Sequence, residues 1–234
     1  MSVKPVRRRG ALAILLLLAA LPVSAEKKVA AWFGGKDGAP YGEVQPAIEK
    51  AADEAVAARV PEELLVERLA EGAAKGVVPE VMQRAMEEGA SALAALAKIL
   101  DDRVPRLESG PRTDALRLGA IAMRGGLDVR TVDAAVAWTV EGGREVGRTM
   151  SALVAVASLH RGLDLDADRA LALAKAFSLS QEKTSRFSAF VSLLSGARAR
   201  GLAADTVVDA ALSALAEGRT FLALQRELDR RSKR

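Results

Sequence analysis

The chain has no cysteine, a single histidine and few aromatic side chains. Without cysteine there is no disulfide framework, no thiol nucleophile and no cysteine-based metal site. Cysteine lipidation is excluded for the same reason. The one histidine, His160, leaves no typical zinc site, since these rest on several nitrogen or sulfur ligands. Sustained two-residue alternation of apolar and polar side chains is also missing, which argues against strands. So is GxxxxGK[ST], and GGREVGRT follows a predicted helix rather than a strand, so the glycines form no phosphate cradle.

Charge of one sign is missing too, once the front of the chain is set apart. Lys4, Arg7, Arg8 and Arg9 carry the whole formal excess of +4. The remainder is balanced, and a nucleic-acid binder's basic footprint is absent. Residues 26–108 lean acidic and residues 109–234 lean basic, the excess ending in Arg226, Arg230, Arg231, Lys233 and Arg234. That end reads as a solvated helix terminus, with weak attraction to an anionic lipid or wall polymer as the sharper alternative.

Residues 1–25 have the three parts of a secretory signal: the four cations, an apolar run from Ala11 to Leu21, then Pro22 and Val23-Ser24-Ala25. The apolar run is short for a bilayer span. Arg7-Arg8-Arg9 hints at a twin-arginine signal, but the Leu-rich core favours the general route. The expectation is a cleaved signal and a periplasmic or extracellular product; the alternative is a retained anchor. Residues 26–234 are enough to bury a core without disulfide staples.

What is present is helix. Residues 26–43 read as an irregular lead-in holding Trp32, Phe33 and Tyr41. The two adjacent aromatics are expected to pack on the body, with a stacking site for peptide or sugar as the minority reading. From Val44 onward apolar residues recur at three and four, as in Ile48, Ala51, Ala52 and Ala55, or Leu93, Leu96, Ala97 and Leu100. Residues 44–102 form a predicted first helical subdomain, residues 103–114 a connecting loop with two prolines, and residues 115–234 helical-hairpin repeats.

The repeats show in their punctuation. Lys75-Gly76-Val77, Arg161-Gly162-Leu163 and Arg200-Gly201-Leu202 share one pattern, and Arg124-Gly125-Gly126-Leu127 adds a glycine. The cation faces the negative helix end, glycine takes the left-handed closing conformation, and the aliphatic folds back. Pro79 at a first helical position, or Asp128 and Asp164 as N-caps, starts the next helix. Arg59-Val60-Pro61 is a fifth stop without its glycine. A second mark lies inside the units: Gly147-Arg148-Thr149 matches Gly218-Arg219-Thr220, and Ser185-Arg186-Phe187 is a looser copy. The predicted fold is all-α: degenerate helix-turn-helix repeats of roughly 36–39 residues stacked as a short solenoid or compact helical array. Tetratricopeptide and ankyrin signatures are missing.

EGAAKGVVPE, with PEELLVERL before it and PEVMQRAM after, resembles a segment of secreted bacterial helical-repeat proteins with no assigned activity. The resemblance spans residues 58–90. It implies bacterial export and helical hairpins, and it brings no active site with it.

Chemistry is sparse. His160 closes a predicted helix and reads as a C-terminal cap. Asp164-Leu165-Asp166-Ala167-Asp168 opens like a calcium loop, but Arg169 and Lys175 stand where glycine and glutamate are needed. The pairs Glu62-Glu63, Glu87-Glu88 and Asp101-Asp102 are adjacent on helices and point apart, unlike a glycosidase couple. No metal or cofactor is expected. The sequence reading is a non-enzymatic exported scaffold or binding module for an envelope protein or peptide. Its candidate contacts are Arg148, Arg186 and Arg219, at equivalent repeat positions. Pairing of these with Glu141, Glu182 and Glu217 would make them structural instead. The rivals are a wall-acting enzyme or accessory domain, with carboxylates assembled in three dimensions, and a protein that associates with membranes peripherally.

Overall fold

A computed structural model describes residues 28–219 and 221–232. The predicted signal, residues 1–25, lies outside the described residues. Within them the fold is all-α. The helices are α1 (Lys28–Phe33), α2 (Gln45–Ala57), α3 (Glu62–Ala74), α4 (Pro79–Arg103), α5 (Ser109–Arg124), α6 (Val129–Glu141), α7 (Val146–Leu163), α8 (Ala167–Leu179), α9 (Phe187–Ala199), α10 (Ala204–Ala216) and α11 (Phe221–Arg231).

The lead-in is more regular than expected. It contains α1 and a 3-10 turn, Ala39–Tyr41. Trp32 meets Phe33 edge-on at 5.0 Å and Tyr41 at 5.8 Å between ring centroids. The Tyr41 hydroxyl donates to the Val77 carbonyl at 2.8 Å, and the Val29 N–H donates to Glu62 at 2.8 Å. Gly38 is needed here, because a Cβ would run into the Trp32 carbonyl and the Phe33 backbone. The aromatic segment is thereby fastened to α3 and the turn after it.

The predicted loop over 103–114 is much shorter. Only residues 104–108 lie between α4 and α5. Pro111 falls in the first turn of α5, where the missing N–H has no intrahelical partner to lose.

The repeated stop has a common geometry. Gly76 sits at φ 65°, its N–H bonds the Ala73 carbonyl at 2.9 Å, and the Val77 N–H bonds Gly72 at 3.1 Å. This is the Schellman pairing of a left-handed helix end. The same pair of bonds recurs at Gly126, Gly143, Gly201 and Gly218, and at Arg59 in the copy that lacks glycine. One expectation fails. Gly162 stays inside α7, and Asp164 takes the left-handed position at φ 47°. Asp164 therefore ends a helix instead of starting one, and Asp166 caps α8 by accepting the Arg169 N–H at 2.8 Å. Asp128 does cap α6, accepting the Thr131 N–H at 2.6 Å. The cations near these stops reach acids more than carbonyls: Lys75 and Arg124 both pair with Glu71, and Arg200 pairs with Asp229.

Helices pack on their second neighbours as well as their first. α2 lies on α4, α4 on α6, α6 on α8, and α8 on α10; α5 lies on α7, α7 on α9, and α9 on α11. One apolar cluster runs through the whole body from Val29 to Leu228. Small residues set its spacing. A Cβ on Gly119 of α5 would collide with the Leu96 side chain of α4.

Candidate binding groove

Close packing lapses between α3 and α5. α5 rests directly on α7 and on α4, whereas α3 and α5 meet chiefly through long charged side chains. Between them, over α4, lies a groove of about 430 Å³, within the usual range for ligand pockets. One face of each helix lines it. α3 contributes Leu64, Glu67, Arg68 and Glu71, at helical spacings of three and four. The floor is α4 at Gly89, Ala92 and Leu93. The far wall is Ala120 and Met123 of α5, with Leu127 closing one end.

Two ion pairs bridge the groove. Arg117 donates to both carboxylate oxygens of Glu67, at 3.1 and 2.9 Å. Arg124 reaches Glu71 at 3.4 Å, and Lys75 holds the same carboxylate at 2.5 Å. The Lys75 bond, then the charges of Lys75 and Arg124, lower the Glu71 pKa below the ordinary value, against some desolvation. The Glu67 bond raises that of Arg117. These pairs are solvent-exposed and contribute little each, on the order of 0–1 kcal/mol.

Arg68 is different. It is half-buried, and its Nε–H donates to the Ala85 carbonyl at 3.0 Å. Among the described residues no carboxylate lies within ion-pair distance of it; Glu71 and Glu88 act on it only through space. Burial, then the charge of Arg124, pulls its pKa down. It stays cationic, because a guanidinium starts far above neutral pH. Gly89 makes room for it: a Cβ there would stand 2.5 Å from Nε and 2.9 Å from Cζ. Sequence reasoning passed over Arg68. The readable signal was Gly89 itself, a glycine inside a strong helical pattern with no stop after it, which marks a close approach.

The three arginines singled out from the repeat lie at the starts of α7, α9 and α11 or just before them, but they do different things. Arg148 grips the end of α8. It donates to the carbonyls of Ser178 at 2.7 Å, Phe177 at 3.3 Å, Glu182 at 2.8 Å and Ser180. It also faces the Phe187 ring at 5.4 Å. Its expected partner Glu141 is not among these contacts. Arg186 is exposed and pairs with Glu182 at 3.4 Å. Arg219 is exposed and pairs with Glu217 at 2.5 Å and Glu227 at 2.9 Å.

His160 packs its ring against Gly126, where a Cβ would stand 2.7 Å from Cδ2. Its Nδ1 is buried and finds no partner among the described residues. Beneath Arg148 runs a line of buried hydroxyls: Thr139 and Thr149 share a 2.8 Å hydrogen bond, and Ser178 stands 3.4 Å from Thr149. Among the described residues, the buried polar side chains are Thr131, Thr139, Thr149 and Ser178, none of them a carboxylate. No group of three or more His, Asp or Glu among them is placed to hold a metal ion. No described helix is long and apolar enough to cross a membrane. No family model, curated protein or solved structure matches the chain.

Proposed function

We propose that this chain is an exported, non-enzymatic helical-repeat module that binds a protein or peptide of the bacterial envelope, in the periplasm or outside the cell. Its hairpins stack as a short solenoid of two helix rows. The observation that carries this reading is the second-neighbour packing, with α2, α4, α6, α8 and α10 following one another. In support, α6, α8 and α10 start at Val129, Ala167 and Ala204, and each has 13 residues. Units of this kind contact their neighbours only and expose long continuous faces to a partner. Arg186 and Arg219 are the candidate contacts that keep exposed side chains, and exposed pairs exchange partners at little cost. Arg148 acts inward, as the anchor that sets the register of its unit.

The wall-acting enzyme has less support, since its carboxylates would have to converge in a buried site. Peripheral membrane binding through α11 has less again. That helix already spends its apolar face on the core through Leu224 and Leu228.

Crosslinking and pull-down of tagged full-length protein from its native envelope tests the reading. One protein partner should be recovered in stoichiometric amount, and the double variant Arg186→Glu, Arg219→Glu should lose it. Recovery of glycan or lipid alone would overturn the assignment.

A further inference from the structure

We propose that the groove between α3, α4 and α5 is a binding site for an amphipathic aliphatic carboxylate, its chain on the apolar floor and its carboxylate on Arg68. This goes beyond the partner-binding reading and does not depend on it. Three observations carry it.

The first is charge. Of the rim groups, Glu67 and Glu71 are matched by Arg117, Arg124 and Lys75, and Asp128 is bonded by the Thr131 N–H. Arg68 and Glu88 remain without an ion-pair partner among the described residues. Glu88 is exposed and water solvates it. Arg68 is half-buried beside a second arginine and has one carbonyl for its Nε–H. A half-buried guanidinium gains most from an anion that brings its charge into the groove, and its planar fork fits a carboxylate.

The second is construction. Gly89 removes the one side chain that would push Arg68 off α4. That glycine weakens a helix interior by about 1 kcal/mol relative to alanine, so the position of Arg68 is held at some cost.

The third is the apolar lining. Leu64, Ala92, Leu93, Ala120, Met123 and Leu127 present apolar atoms. The backbone of the lining helices is already committed to intrahelical bonds. An extended peptide laid there would leave its own N–H and C=O groups unpaired. An aliphatic chain has no such groups. The α3 wall from Leu64 to Glu71 is two helical turns, about 10 Å, which suits a single short chain.

The test uses the full chain with ¹³C-methyl methionine and decanoate as the probe, kept below its micelle concentration. Met123 lines the groove, while Met82, Met86 and Met150 are buried elsewhere and report on the fold. Decanoate should shift the Met123 methyl saturably and leave the Met150 methyl in place. Affinity should fall at least tenfold for 1-decanol, which keeps the chain and lacks the charge. It should fall equally for Arg68→Gln and by less for Arg68→Lys, which keeps the charge and loses the fork. Should Arg68→Gln fail to fold, the alcohol comparison stands, together with Ala120→Phe, which fills the groove from its α5 wall and should abolish binding. The proposal is overturned by no saturable shift at Met123, by equal binding of decanol, or by equal binding to folded Arg68→Gln. A joint shift of all the methyls, the mark of detergent-like binding, overturns it as well.

Discussion

α3, α4 and α5 are three consecutive helices, as are α7, α8 and α9, but the outer members of the two trios meet differently. In the later trio α7 packs on α9. Phe177 of α8 meets Phe187 at 5.2 Å and Phe190 at 5.7 Å between ring centroids. In the earlier trio, Arg68, Glu67 and Glu71 of α3 face Arg117 and Arg124 of α5, and a groove remains. Topology sets which helices are neighbours; the side chains at the facing positions decide whether they touch. Each trio also holds an arginine against backbone carbonyls. Arg148 reaches four at the end of α8, where carbonyls lack intrahelical partners. Arg68 reaches one, in mid-helix, and no carboxylate among the described residues pairs with it.

The largest way to break the comparison is at the aromatic cluster. Phe177 is fully buried. Phe177→Ala removes a ring from a fully buried site, and should cost about 3–5 kcal/mol by urea denaturation. An equal loss of packing at the groove is expected to be milder, because its wall already borders solvent. A cost for Phe177→Ala no greater than that of Met123→Ala on the groove wall would mean that the later trio is no better packed than the earlier one.

The two arginines sharpen the contrast. Arg148→Met leaves the carbonyls of Ser178, Ser180 and Glu182 without their donor, while that of Phe177 keeps the Ser180 N–H and hydroxyl; it should cost about 1.5–3 kcal/mol, the range for losing charged hydrogen bonds. Arg68→Met removes a half-buried charge that has no ion partner among the described residues. It should cost under about 1 kcal/mol or stabilise, as apolar replacements of buried charges often do. Paired denaturation curves decide it, and equal costs would erase the distinction between an anchor and a poised binding group.

Much of the helical order was legible in the sequence, and the reasons are local. Five of the six Schellman turns carry glycine at the left-handed position, and glycine there is visible without a structure. Arg59 in the sixth was found only because its neighbours Val60 and Pro61 fit the pattern. The stop after α7 falls two residues beyond Gly162, the closing residue the pattern predicts. Asp164 takes that place because aspartate tolerates the left-handed region better than most residues. Pro111 suggests loop because proline is a strong breaker, yet a first turn accepts it. The groove was hidden for a different reason. Glu67, Arg68, Glu71, Arg117 and Arg124 all look like an ordinary solvated helix face in one dimension. Only the pairing of α3 with α5 over α4 turns that face inward. The equivalence of Arg148, Arg186 and Arg219 was legible, but their divergent partners come from tertiary contacts with the end of α8 and with α11.

A cap interaction should ignore the contrast between the two trios, because it is made within one helical turn. Asp128 caps α6 at the edge of the groove, and Asp166 caps α8 in the closely packed half. Asp128→Ala and Asp166→Ala should each cost about 1 kcal/mol at pH 7. The pH dependence adds a check at Asp128. The Thr131 N–H, followed by its side chain, holds this carboxyl below the ordinary value of 3.8. A depressed folded pKa means that the ionised cap contributes fully above the unfolded value and loses that contribution as pH falls through the folded one. The gap between wild type and Asp128→Ala should therefore be constant from pH 7 to about pH 5 and close below about pH 3.8. The carboxylate is exposed, so the size of the gap comes from the cap bond and little from long-range charge. A gap that survives full protonation would assign the loss to packing at the groove's edge, and would make the cap at Asp128 part of the groove wall and not an independent helix start.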